Sequence, residues 1–137
     1  MRSPYPKPRG LKGSKAAGMS YQHKVEKFLR RELSNEVLVG QWIEFQDSNG
    51  FGYAQPDVFL PGPYSTLVFE SKLKETLSGH EQIEHLYRPL LRHIFARPVV
   101  GILVTRTIIQ SPAHLIQHPG ELLDETKELT HVWHWLG

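Results

Sequence analysis

The run RPVVGILVTRT, residues 97–107, most constrains what this chain can fold into. Six consecutive positions from Val99 to Val104 carry no polar side chain. A strand with one wet face alternates apolar and polar residues, whereas a strand apolar on both faces must be covered on both. The run therefore predicts a buried central strand in a small mixed sheet flanked by helices, an α/β layer arrangement. At 137 residues the chain fits one domain with a core that needs no staples. It has no cysteine, which excludes disulfides and thiolate metal sites and agrees with a reducing, cytoplasmic setting. No apolar run reaches the roughly 20 residues of a membrane span. The basic N-terminus leads into no apolar stretch, so it does not read as a secretory signal.

Residues 1–19 hold Pro4, Pro6, Pro8, Gly10, Gly13 and Gly18 and read as an extended, mobile basic arm. The remainder, 20–137, reads as a single domain. Residues 1–25 contain Arg2, Lys7, Arg9, Lys12, Lys15 and Lys24 and no acid, although the whole chain carries only +2. The rest is therefore mildly acidic, the layout of a nucleic-acid arm or of a solubilising tail. Arg9, Lys12, Lys15, Lys24 and Lys74 are the candidate phosphate contacts.

Ser20 is a candidate N-cap for a helix through Leu33, with Tyr21, Val25, Phe28, Leu29 and Leu33 on one stripe. Glu26 falls at the edge of that stripe. Asn49-Gly50 marks a hairpin between a strand around Trp42 and Phe45 and a strand over Tyr53–Leu60. A third strand is expected over Thr66–Leu73, a helix over Gly79–Phe95, a short helix from Ser111-Pro112 through Gln117, another over 120–129, and a last strand at THVWHWL. No internal repeat or second domain is evident.

The chemistry concentrates where the second and third strands meet. Pro56 cannot donate to a ladder, so it marks an edge or bulge and lets Asp57 leave the regular pleat. Glu70 and Lys72 alternate onto one face of the next strand. If the two strands are neighbours, Asp57, Glu70 and Lys72 converge, and Glu26 on the first helix can join them. That set suits metal-assisted phosphodiester cleavage. Mg²⁺, with Mn²⁺ as a substitute, takes oxygen ligands, and Asp57, Glu70 and the Ser71 carbonyl supply three. Glu26 is a candidate for a second metal or a metal-bound water. Lys72 can orient the attacking water or stabilise charge building on phosphorus. The alternative is a solvated strand end with Asp57 in a turn.

QPD at 55–57 and FESK at 69–72, with twelve residues between Asp57 and Glu70, resemble the PD-(D/E)xK nuclease superfamily. The likeness covers about residues 20–105. It implies a restriction-endonuclease-like core in the order α-β-β-β-α-β. It also implies roles for Asp57, Glu70 and Lys72, an acid on the first helix at Glu26, and a site-contacting glutamine at Gln82. Tyr87 follows Gln82 by five residues, whereas exonuclease-like branches space such a pair by four. Ser20 to Glu26 and PDVFLP resemble phage-type junction-resolving endonucleases, which implies branched DNA as substrate and a symmetric homodimer, its apolar surface drawn from the Trp-rich C-terminus. A nuclease acting on ends or single strands, and a DNA-binding module without catalysis, remain alternatives. The eight histidines show no HExxH pattern and have no cysteine beside them, so zinc is set aside.

Overall fold

The apolar run forms β6 (Val99–Thr107), buried from Val99 to Thr105. The computed structural model describes residues 14–107 and 115–137. Strand β6 pairs in parallel with β5 (Thr66–Lys74) on one side and β8 (Thr130–His134) on the other. Beyond β5 lie β4 (Val58–Pro61) and the two-residue β1 (Leu38–Val39), each antiparallel to its neighbour. Beyond β8 lies β7 (Leu115–Ile116), parallel. The six strands make one mixed sheet, β1-β4-β5-β6-β8-β7.

Strand alternation sorts the core into two layers. Helix α1 (Ser14–Glu32) buries Tyr21, Val25 and Leu29 on one face of the sheet, against Val58, Leu67, Phe69, Ile102 and Val104. The other face is covered by a continuous helical stretch: α2 (Leu77–Gln82), a π turn (Ile83–Tyr87) and α3 (Arg88–Phe95). Ile83, Tyr87 and Leu91 pack there on Phe59, Val68, Val99 and Leu103. Thr76 caps this stretch by accepting from the Gly79 N–H at 3.1 Å, and Ala96, left-handed at φ 53°, ends it. No helix among the described residues is long and apolar enough to cross a membrane.

Several expectations need correction. Helix α1 starts at Ser14, six residues before Ser20. Ala16 and Ala17 carry it through Gly18, whose cost relative to Ala is only about 1 kcal/mol. The arm boundary at residue 19 is therefore too late, and residues 1–13 lie outside the described part. The strand expected over Tyr53–Leu60 is two strands in different sheets. β3 (Gly50–Ala54) pairs with β2 (Ile43–Asp47) as a separate hairpin, and β4 begins only after Gln55-Pro56-Asp57. Pro56 supplies the break, as its missing N–H requires. Ser111 and Pro112 lie outside the described residues, but Leu115 and Ile116 are strand, not helix. In place of a helix over 120–129 there is a 3-10 turn, Pro119–Leu122, where His118 Nδ1 accepts from the Gly120 N–H. Glu125 then takes the N–H groups of Thr126 and Lys127, turning the chain away from helix.

The Trp-rich C-terminus is core, not an exposed partner surface. Trp133 is 2% exposed. It stacks on half-buried Trp135 at 5.4 Å, and Phe28 of α1 lies within 5.2 Å of both rings.

One buried cation ties the second layer together. Arg88 donates to the Val99 carbonyl at 3.1 Å, to Glu84 Oε2 at 2.6 Å and to the Glu128 carbonyl. Replacing Arg88 with Met keeps the apolar stem and strands these acceptors. The expected loss is about 2–4 kcal/mol of unfolding free energy, read from urea titration.

Candidate active site

The site follows from the register of β4 on β5. Val58 pairs with Phe69, so one residue further Asp57 stands opposite Glu70, just past the end of β4. Two anchors hold Asp57 there. Its carbonyl accepts from the Gly40 N–H at 3.1 Å, and its Oδ2 accepts from the Ser71 N–H at 2.7 Å. The Gln55 amide donates to the Gly40 carbonyl at 2.9 Å, which pins the proline break from the other side. A strand residue presents its N–H and C=O on the same edge, so the Ser71 carbonyl also faces the Asp57 side of β5. No β4 residue pairs there, because the β4–β5 ladder stops at Val58 and Phe69.

Asp57 is 8% exposed and Glu70 5%. Their carboxyl groups lie in hydrogen-bonding contact, and Glu70 Oε2 is buried with no donor. Burial pushes the Glu70 carboxyl well above the ordinary carboxylate range, and the Asp57 charge pushes it further, while Lys72 and Tyr87 pull it down. Burial also raises Asp57, and the charge of Glu26 adds to this. Contact with Glu70, the Ser71 N–H and the charge of Lys72 oppose it. Two carboxyl groups are thus held side by side away from water, where they resist ionising together, with a half-buried lysine acting on both.

The structure thus brings Asp57, Glu70, Lys72 and the Ser71 backbone to one place. Glu26 comes near enough to act on Asp57 through its charge and accepts from Gln22 Nε2 at 3.2 Å. Among the described residues, no three acidic or histidine side chains close on a single point. Glu26 therefore stands beside the pair. Gln82 reaches the site through Tyr87, donating to its hydroxyl at 2.7 Å. The Tyr87 hydroxyl also lies 3.3 Å from the Gln55 carbonyl and next to Glu70. Burial, then the charges of Glu70 and Asp57, push its pKa far up, so it stays a neutral donor. Tyr87 is the contributor to which sequence reasoning gives no role. The signal is present, as a tyrosine five positions after the glutamine, but five is the wrong spacing for one face of an α-helix.

Of the candidate phosphate contacts, Lys24 on α1 and Lys74 at the end of β5 are exposed. Lys15 belongs to α1, but its side chain is outside the described part, as are Arg9 and Lys12. Neither protein-family models, nor curated proteins, nor solved structures give a match to this chain.

The raised carboxyls have a measurable consequence in metal-free protein. Well below pH 4.5, Glu70 is protonated both folded and unfolded and adds nothing to stability. As pH rises past its ordinary value of 4.5, the unfolded chain releases a proton that the folded chain keeps, so stability falls. Glu70→Gln removes that loss. In urea titrations with EDTA, the variant should gain on the parent as pH rises above 4.5. A pH-independent difference would show that Glu70 ionises freely.

Proposed function

We propose that this chain is a metal-dependent nuclease of the PD-(D/E)xK type, hydrolysing phosphodiester bonds of DNA. One observation carries the reading: Asp57 and Glu70 share a buried corner on adjacent strands, with the charge of Lys72 on both. A structural ion pair would bring one acid and one base together. Two acids held out of water are costly to fold and suit a cation that both can bind. The donor set fits Mg²⁺, with Mn²⁺ as a substitute: hard carboxylate oxygens, a donor-free Glu70 Oε2 and a carbonyl edge at Ser71. The element order also agrees with a restriction-endonuclease-like core. A helix precedes antiparallel β4 and β5, a helical stretch follows, and β6 returns parallel to β5.

Asp57, Glu70 and the Ser71 carbonyl would hold the cation, and Glu26 would bias the site through its charge or bind a metal-associated water. When bound, the cation supplies Lewis-acid activation of water and charge compensation on the phosphate. Lys72 supplies a compact ammonium that orients the attacking water and stabilises negative charge as the phosphorus becomes five-coordinate. Gln82 and Tyr87 hold the Glu70 side of the pocket in place.

Branched DNA is the substrate we favour, cut by a symmetric homodimer. Among the described residues there is no helix-turn-helix or finger for reading bases, so on this reading affinity comes from phosphate contacts and recognition from DNA shape. The test is incubation with four-way junctions, linear duplex and single strands under Mg²⁺, Mn²⁺ or EDTA. Paired symmetric cuts at the junction are expected with metal and none with EDTA. Progressive shortening from ends would identify an exonuclease instead. Binding without cutting under every metal would leave a DNA-binding module.

Lys72→Ala should retain DNA binding and lose about 10²–10³ in cleavage rate; full activity in that variant would remove the mechanism. Removing residues 1–13 should lower DNA affinity and flatten its dependence on salt, by about one logarithmic unit of slope for each phosphate that segment neutralises. An unchanged slope in a binding titration would make that segment only a tail.

A further inference from the structure

The helical stretch from Leu77 to Phe95 leaves α geometry only at Ile83–Tyr87, a single π turn. In an α-helix, side chains five apart diverge by roughly 140°, at about 100° per residue. A π turn, with its i→i+5 bonding, brings them back together. Gln82 and Tyr87 meet for this reason, with Gln82 Nε2 2.7 Å from the Tyr87 oxygen.

The turn has a prepared seat. Ile83, its first residue, is fully buried and lies over Gly101 of β6. A Cβ at Gly101 would come within 2.3 Å of Ile83 Cγ2. No real side chain tolerates that separation, so only glycine lets the turn sit this deep.

The hydroxyl at the end of this chain of contacts has a definite role. The Tyr87 oxygen has one hydrogen and two lone pairs. The Gln82 amide fills a lone pair. The hydrogen must then point to the Gln55 carbonyl or to Glu70. At 3.3 Å the Gln55 contact is long for an O–H donor, whose usual distance is about 2.7–2.8 Å. The hydrogen nevertheless goes to the Gln55 carbonyl, two residues before Asp57, in a long contact that leaves the hydroxyl beside Glu70.

We propose that this π turn is a positioning device: seated on Gly101, it sets the Tyr87 hydroxyl on the Gln55 carbonyl, two residues before Asp57, and so fixes how tightly Asp57 and Glu70 hold a divalent cation. The inference rests on the cation reading above and adds to it. Tyr87 is a positioning residue that acts through the Gln55–Asp57 segment and not on the ion. Gly101 acts one step further back, through Ile83.

The experiment is a Mn²⁺ and Mg²⁺ titration of the full chain without DNA, followed by thermal shift and by calorimetry. Tyr87→Phe should raise the half-saturating Mn²⁺ concentration about 10- to 100-fold, the usual effect of losing an outer-shell partner, with the far-ultraviolet spectrum unchanged. Gly101→Ala should do the same without altering any residue of the site. Combining it with Ile83→Ala, which removes the clashing methyl, should bring the midpoint back toward that of the parent. Equal midpoints for parent and Tyr87→Phe overturn the positioning role and leave the cation reading standing. A parent chain that shows no saturable response to either metal overturns the cation reading itself, and the device with it. Should Gly101→Ala fail to fold, the Tyr87→Phe midpoint decides alone.

Discussion

Two carboxyl groups pressed together where water barely reaches are the constraint around which this molecule is arranged. Asp57 and Glu70 face one another from adjacent strands, and burial drives both toward neutrality. Such a pair lowers stability, so it persists only if the surroundings over-determine its geometry. They do so here. The ladder of β4 on β5 fixes the register, and the Gly40 and Ser71 N–H groups donate to the Asp57 carbonyl and side chain. The ammonium of Lys72, two positions along from Glu70, offsets part of the repulsion. Each neighbour makes sense as support for a geometry that folding alone would not favour.

The two layers of the core divide the work. The α1 side is dense with aromatic rings, among them Tyr21, Phe28, Trp133 and Trp135. Tyr21 donates to the Trp135 carbonyl at 2.7 Å, so the last strand is tied to the first helix. The opposite side carries the polar machinery. Glu70 and Lys72 share the face of Val68, toward the π turn, and Arg88 joins that helix to β6 and to the segment before β8.

What the sequence discloses, and what it hides, follows from the range of the forces involved. The all-apolar strand at 99–104 and the second helix are local patterns and can be read directly, as can the hairpin itself, although its loop is Ser48-Asn49 and Gly50 already pairs with Asp47 in the ladder. The convergence of Asp57, Glu70 and Lys72 is legible because Pro56 and strand alternation together leave few other places for those side chains. The departure of β2 and β3 from the main sheet is not legible, since the hairpin's periodicity is the same in either sheet. β1 has two residues, too few for any period. The π turn is invisible to a 100° rule because it breaks that rule, and its cause, Gly101, lies fourteen positions beyond Tyr87. Residues 120–129 have helical composition, yet Glu125 turns its own backbone aside.

The separate hairpin has a consequence for how this chain can vary. Its ladder closes on itself, from Ile43↔Ala54 to Asp47↔Gly50, so the large sheet does not depend on its hydrogen bonds. Lengthening its tip adds only a slowly growing loop-closure entropy, and exchanging its outward residues leaves the β4–β5 ladder as it is. The hairpin is thus anchored at its base, where Ala54 is buried and Ile43 and Phe45 pack against the second core layer, while its exposed tip at Ser48 and Asn49 is free to vary in length.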